Sequence, residues 1–532
     1  MECKAQRIPY QQTNSFTKIV LDYLNNAEKL KPFYKHNVSL SGIQNAIQEK
    51  SLEFTNRKLL TEVLENDYST VAFSEKVASN ISLLKNENTF TVTTAHQSNI
   101  FTGPLYFIYK ILHVIKLSQY LSESFPDKNF VPVFFMGSED ADLDELGHTY
   151  INHDKILWNT NQKGAVGRMK VDKAFIQLIQ QMQGQLSVEV FGNEMLDLIK
   201  TSYVEEVNIQ SATFQFVHKL FGEYGLLILL PDNKKLKAAF KEVMQEDLLN
   251  QTASEIVLET STKLNEYYKV QASPRDINLF YLDENIRNRI EVENNIYKVV
   301  DTDLTFTQEE ILKKLDENPE KFSPNVILRG LFQEKILPNI AFVGGGGELA
   351  YWLQLKDLFS FYQTSFPVLV LRNSFLIIEK KWAERINKLG FESETFFQSA
   401  FDLLNNFVLK NSENEITIAK ELELIEEQYE NLKLKANNVD ATLKNHVEAL
   451  LHQSLKKLSA LQKKLLRAEK RKFEDTSRQI STIKNQLFPH GSLQERKENI
   501  SSFYAKHGKS FVENILQNSL SLEQEFVIIE EM

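Results

Sequence analysis

Four stretches of the chain carry residues whose types and spacing can do chemistry. The first is Val343-Gly344-Gly345-Gly346-Gly347-Glu348, set between an apolar run and a helical pattern. Glycines at such a turn let the backbone approach a ligand, and the free N–H groups of a following helix favour an anion. Gly345 to Ala350 also satisfies the dinucleotide pattern G-x-G-x-x-G/A, which expects an acid about 20 positions on for the ribose hydroxyls. The next strand ends instead in Arg372-Asn373-Ser374. NAD is therefore disfavoured, and Gly344, Gly345, Gly346 and Gly347, with Arg372 and Ser374, are read as the side of the site that takes phosphate or another anion. A structural glycine turn is the alternative, although four consecutive glycines lose much chain entropy for that purpose.

The second stretch is Thr94-Ala95-His96-Gln97-Ser98-Asn99, followed by Thr102-Gly103-Pro104. Ligands of open α/β sheets sit outside the C-terminal ends of the strands, which makes His96, Gln97 and Asn99 candidates. A histidine there can donate to phosphate oxygens or shuttle a proton, and a structural histidine fits the spacing equally well. The third stretch runs from Ser138 through Glu139, Asp140, Asp142, Asp144 and Glu145 to His148. Carboxylates in a cleft can bind an amine, bind Mg²⁺ or act as a base. About half should be ordinary solvated helix residues, and Glu139 and Asp140, nearest the strand end, are singled out. No spacing matches a zinc site, and no metal ligand set is assigned. The fourth stretch, Phe322 to Arg329, offers Asn325 and Arg329 to a carboxylate or phosphate, the arginine in bidentate fashion. A helix cap and a surface ion pair are the plainer reading of those two.

The elements that must position these residues follow from periodicity. Residues 1–90 are mostly helical in pattern, with Phe16, Ile19, Val20 and Tyr23 on one face. Thr89–Thr94 reads as a strand, Gly103–Tyr120 as a helix opened by Pro104, and Phe130–Met136 as a strand buried on both faces. Strand, helix, strand makes a βαβ unit and hence a parallel sheet. The pattern fades over 156–320, where helices (Phe175–Met182, Leu236–Leu249), a strand at Leu226–Leu230 and a hairpin across Asp283-Glu284-Asn285 read as an inserted region. It returns with a strand at Asn339–Val343, a helix through Phe359 and a strand at Val368–Arg372. From about Ile416 the texture changes: Leu422, Ile425, Tyr429, Leu432 and Ala436 repeat at spacings of 3 and 4, as do Leu458, Leu461, Leu465 and Ala468. Asn437-Asn438 before Asp440 marks a reversal, giving a helical hairpin whose second arm, roughly 47 residues, would be about 70 Å long. In that register the basic run Lys463–Lys472 falls beside residues 405–413, a solvated face or a phosphate-contacting one. The expected divisions are 1–155, 156–320, 321–405, 406–490 (the arm) and a helical 491–532.

Composition sets bounds. The chain has 532 residues, 42% hydrophobic and 25% charged, with a formal net charge of -10. At roughly 150 residues per domain that makes three or four units. The acidic balance argues against nucleic acid or anionic membrane as a partner. One cysteine, Cys3, rules out an internal disulfide framework and fits a reducing cytoplasm. No secretory leader is evident, and the most apolar stretches, Gly225–Pro231 and Pro367–Ile378, are too short to span a membrane.

Taken in order, the segments TAHQSNIFTGPLYFIYK, VPVFFMGSEDADLDELGH, SPNVILRGLFQEKILPNIAFVGGGGELAYWLQLKDLF, KKLLRAEKRK and LFPHGSLQER resemble the bacillithiol biosynthesis cysteine-adding enzyme family along nearly the whole chain. The resemblance implies an α/β, Rossmann-like (class I nucleotidyltransferase-like) parallel-sheet core with connecting-peptide insertions, and a coiled coil that supports a homodimer. It implies a ligase joining the carboxyl group of cysteine to the amine of glucosaminyl-malate. It places His96, Gln97, Asn99, Glu139, Asp140, Asn325, Arg329 and Gly344–Glu348 in one cleft, with Tyr351 and Gln354 on the next helix. It also implies a nucleotide site near the coiled coil, for which Lys463, Lys464, Arg467, Gln494 and Arg496 are candidates. Two positions depart from the family: Ala95 stands where glycine is common, and Gly346 where proline is common. Joining a free carboxylate to an amine is uphill in water, so ATP is expected, with Mg²⁺ as a companion ion. The rivals are an amino-acid or sugar nucleotidyltransferase and a metabolite-binding coiled-coil scaffold.

Overall fold

A computed structural model describes residues 2–414 and 417–532, so Ile416, where the arm's pattern begins, lies outside the described residues. Strand β1 (Cys3–Pro9) opens the chain, a strand that the helical pattern of residues 1–90 does not announce. Helix α1 (Lys18–Leu24) buries Ile19, Val20 and Tyr23, as its periodicity predicts. The expected βαβ unit is β2 (Thr89–Gln97), α2 (Tyr106–Ser124) and β3 (Asn129–Gly137), with the strands parallel from Thr89↔Asn129 to Gln97↔Gly137. Helix α2 is buried around its whole circumference from Phe107 to Ile115, where it runs through the core rather than along it. A one-turn helix α3 (Leu143–Leu146), capped by Asp142, and the hairpin β4 (His148–Ile151) and β5 (Asp154–Leu157) follow.

The region 156–320 is not wholly an insertion, since it supplies β6 (Leu227–Leu229), which pairs parallel with β3 in the core sheet. The helix expected at Leu236–Leu249 is two, α4 (Lys234–Ala238) and a second at Lys241–Leu249. The expected hairpin is β7 (Leu279–Asp283) and β8 (Ile286–Glu293), turning at Glu284-Asn285. It belongs to a larger antiparallel sheet that also takes β9 (Ile296–Val299), β10 (Thr305–Thr307) and β11 (Phe322–Pro324). After β11 come α5 (Val326–Ile336), β12 (Asn339–Gly344), α6 (Gly346–Trp352), β13 (Val368–Leu371) and β14 (Phe375–Ile378). The core sheet has the order β13-β12-β2-β3-β6, all parallel. From β2 the chain builds outward one way and from β12 the other, so the crevice of a doubly wound sheet opens where those two strands end. A third sheet, β1-β15-β14, brings in β15 (Glu525–Glu531), so the segment 491–532 is not purely helical.

The chain forms two compact units, one running to Ile377 and resuming over Ser492–Met532, the other Ile378–Gly491. The boundary thus falls before 405, the expected end of the core. The second unit holds α7 (Ala400–Asn411) and the antiparallel pair α8 (Ala419–Val439) and α9 (Leu443–Lys470). The reversal is where Asp440 predicts it, with Asp440 Oδ1 accepting the Thr442 N–H at 2.8 Å. Tyr429 bonds Ser454 at 2.9 Å, and Glu469 bonds Ser412 at 2.9 Å, which fixes the register. The second arm is not one rod: a 3-10 turn at Arg471–Phe473 separates α9 from α10 (Glu474–Leu487). Its 28 residues give α9 about 42 Å rather than 70. Among the described residues no helix is long and apolar enough to cross a membrane.

Candidate active site

The ends of β2 and β12 open into a cavity of about 660 Å³ lined by His96, Asp140, Arg329 and Gly347, among others. Four neighbourhoods far apart in sequence therefore share one space. The turn after β2 is held in an unusual form, with Phe101, Thr102 and Gly103 all at positive φ. Asn499 donates to the Phe101 and Gly103 carbonyls at 2.8 and 2.6 Å, tying that turn down. It sets the direction of α2, whose first turns bring Tyr106 and Lys110 to the cavity wall.

His96 packs edge-on against Tyr106 and Phe107, and its Nε2 is buried without a hydrogen-bond partner among the described residues. Burial, then the nearby Lys110, Arg372 and Arg329 charges, hold its pKa well below the ordinary histidine value. His96 is therefore a neutral imidazole at physiological pH, suited to hydrogen bonding rather than to carrying a proton. Gln97 Nε2 donates to Asp140 Oδ2 at 3.3 Å, and Arg287 of β8 sits 3.6 Å from Asp140 Oδ1. Glu139 is 8% exposed and lies between two partners: the fully buried Lys237 of α4, and Ser323 Oγ, which donates to its Oε2 at 3.0 Å. Arg329 reaches from α5 to the Tyr351 hydroxyl at 2.7 Å. Asn325 caps α5, accepting the Ile327 N–H at 2.8 Å, while its amide donates to Asn278 at 3.0 Å.

The glycine loop differs from a simple anion cradle. Glu348 Oε2 accepts the Gly345 N–H at 2.8 Å and also pairs with Lys110, so the chain's own carboxylate occupies the start of α6. Gly345, Gly346 and Gly347 line the cavity, but Gly344 is a fully packed end of β12. Arg372 lines it too, with its guanidinium committed to Glu495 at 2.7 Å and to Ser374 Oγ at 3.0 Å. Arg496 lines the cavity and donates to the Ser15 carbonyl at 3.1 Å.

Several candidates lie elsewhere. Gln354 is buried and spends its amide on Gln271, Ala272 and Ser261, bracing the chain rather than facing ligand. Gln494 bonds both backbone groups of Ile377, at 3.0 and 3.1 Å, in the manner of a strand partner. Asn99 and Ser374 are buried behind the wall. Lys463, Lys464 and Arg467 are exposed on α9 in the second unit, whereas the cavity is lined by residues of the first. Sequence reasoning missed Lys110, Lys237 and Arg287. Lys110 carried a signal, a lysine on the apolar side of an otherwise buried helix pattern, while the other two sit in elements with no motif. Among the described residues no cluster of three or more His, Cys, Asp or Glu is arranged to hold a metal.

The family model described as "Bacillithiol biosynthesis BshC, N-terminal Rossmann-like domain" matches residues 1–373, and the one described as "Bacillithiol biosynthesis BshC, C-terminal coiled-coil domain" matches residues 375–531. This chain belongs to the bacillithiol biosynthesis BshC family. Its relatives include proteins named "Putative cysteine ligase BshC" from Flavobacterium psychrophilum, 40% identical over 98% of both chains, and from Christiangramia forsetii, 38% identical over 98% of both. A more distant one, from Salinibacter ruber, is 26% identical over 97% of this chain and 96% of its own. The Rossmann-like core and the coiled coil read from the sequence are thus family features, and the family's named activity is that of a ligase.

Proposed function

We propose that this enzyme joins the carboxyl group of cysteine to the amine of glucosaminyl-malate, in an ATP-driven reaction, as a cytoplasmic homodimer associated through its coiled coil. The observation that carries the chemistry is the single cavity in which Asp140, Arg329 and the neutral His96 meet. ATP would turn a carboxylate oxygen into a leaving group, without which the condensation is uphill. Nucleotide phosphates suit the wall formed by Arg496 and the Gly346 and Gly347 backbone, and the unpartnered His96 Nε2 offers a further polar contact. Mg²⁺ would enter with the phosphates, because Glu139, Asp140 and Glu348 each already face a cation.

The chain's own groups divide the remaining work. Asp140, positioned by Arg287 and Gln97, binds the sugar ammonium and orients it. Arg329, supported by Tyr351, holds a malyl carboxylate in bidentate fashion. His96, as a neutral donor, stabilises negative charge that develops on oxygen in the transition state. Alanine at Asp140 or Arg329 is expected to raise the KM for glucosaminyl-malate roughly 10- to 100-fold, the worth of one charged hydrogen bond. Thiol product measured with purified variants checks this, and unchanged product from both D140A and R329A would remove the assignment. Pyrophosphate release without an amide product would favour a nucleotidyltransferase instead.

A further inference from the structure

We infer that Glu145 is the general base that takes the proton from the attacking amine, an inference that rests on the amide-forming reading above. Among the described residues, four carboxylates reach the cavity wall: Glu139, Asp140, Glu145 and Glu348. An amine can attack only through a free electron pair, so an ammonium bound at the site must first surrender a proton. Three of the four carboxylates are poorly placed to take it. Glu139 spends one oxygen on Lys237 and the other on Ser323. Asp140 accepts from Gln97 and from the Ala141 N–H at 2.7 Å, and faces Arg287. Glu348 holds the Gly345 N–H and Lys110. Carboxylate oxygens already engaged by cations, hydroxyl or N–H donors are not free to reach toward an incoming ammonium.

Glu145 differs in each respect. Among the described residues its carboxylate has no hydrogen bond and no ion pair, while its backbone is pinned by Asp142 Oδ1, which accepts the Glu145 N–H at 3.1 Å. The groups that face it are the Asp140 and Asp142 side chains and the Tyr106 phenol of α2, whose pKa is pushed up to about 12 so that it stays neutral. Burial, then the Asp142 and Asp140 charges, push the Glu145 carboxyl above the ordinary glutamate value. The carboxyl is only partly withdrawn from water, since the residue as a whole is solvent-exposed, which gives the proton a path to solvent. In the step itself the amine nitrogen bonds to the carbonyl carbon of the activated cysteinyl donor. The bond from that carbon to the phosphate-bearing oxygen breaks with its electron pair; of the two protons the ammonium loses, Glu145 takes the first before attack and the second as the C–N bond forms, and passes each to water.

The test compares two nucleophiles on one enzyme preparation. Hydroxylamine is unprotonated near neutral pH and needs no base, so cysteinyl hydroxamate formation reports carboxyl activation alone. E145Q is expected to lower the kcat for amide formation about 100-fold or more while hydroxamate formation persists. E145D should recover part of the loss. The parent's rate should also fall on the acid side with a midpoint above that of an ordinary glutamate, and E145Q should lose that limb. Amide formation at the parental rate by E145Q overturns the inference. So does an equal loss of both products, which would make Glu145 a binding or structural residue. A parent enzyme that makes neither product from cysteine and ATP overturns instead the reading on which the inference rests.

Discussion

Buried charge is where single residues have the largest leverage in this protein. Glu334 on α5 is fully buried, with its Oε1 accepting amide N–H groups from Gln333 and Asn339, both at 2.8 Å, and its Oε2 without a partner among the described residues. Burial, only partly countered by Lys50, pushes its pKa up to about 7 from the ordinary 4.5. Between those values the folded chain holds a proton that the unfolded chain has lost, so raising the pH through that window weakens the fold, and the loss is complete above pH 7. Glutamine keeps both acceptor bonds and carries no charge. E334Q should match the parent below about pH 4.5 and exceed it above pH 7, by on the order of 3 kcal/mol, in denaturant titrations at the two pH values. The sequence announced the acids nearest the end of β3, because position at a strand terminus is visible in a hydropathy pattern. It could not announce Lys237, which lies 98 residues from the Glu139 it neutralises, in a helix with no motif. Arg287 was hidden for the same reason, since only the docking of the β7–β8 hairpin against the core creates its contact with Asp140.

At the scale of elements, the glycine run after β12 separates into positions that need glycine and positions that do not. A Cβ on Gly344 would lie 2.7 Å from Phe342, whose ring is stacked 4.5 Å from Trp352 and has little room to yield. A Cβ on Gly347 would meet nothing within 4 Å, and the residue sits in the first turn of α6 at an ordinary backbone angle. G344A should therefore lose about 1–3 kcal/mol of unfolding free energy. G347A should hold or gain up to about 1 kcal/mol, as alanine does in a helix. If phosphates lie along that backbone, G347A will fold normally and still raise the KM for ATP. The run was legible as a strand-to-helix turn. That Glu348 turns back onto it was not, because a carboxylate three residues into a helix reads equally as a solvated side chain. The arm was legible from its heptad spacing up to the turn at Arg471; beyond it Phe473, Thr476, Ile480, Ile483 and Leu487 keep the 3–4 rhythm, but the helix breaks.

For the molecule as a whole, the core sheet and the arm were readable because each repeats a simple period over many residues. The three-stranded sheet was not, since β1 buries Ile8 alone and so shows no apolar alternation, and its pairing partner lies far along the chain. In it Cys3 pairs with Glu531 and Pro9 with Glu525, and β15 occupies the central position between β1 and β14. Removing residues 525–532 should leave two unpaired edges and expose the surfaces covered by Val527 and Ile529. The expected result is loss of a single cooperative thermal transition, seen by circular dichroism, and an aggregating product. The order of synthesis gives this arrangement a further meaning. Strand β1 is translated well before β15 and must remain without its partner in the interval. A chain that stops short of residue 525 therefore leaves β1 and β14 with open edges, which are templates for pairing with other chains.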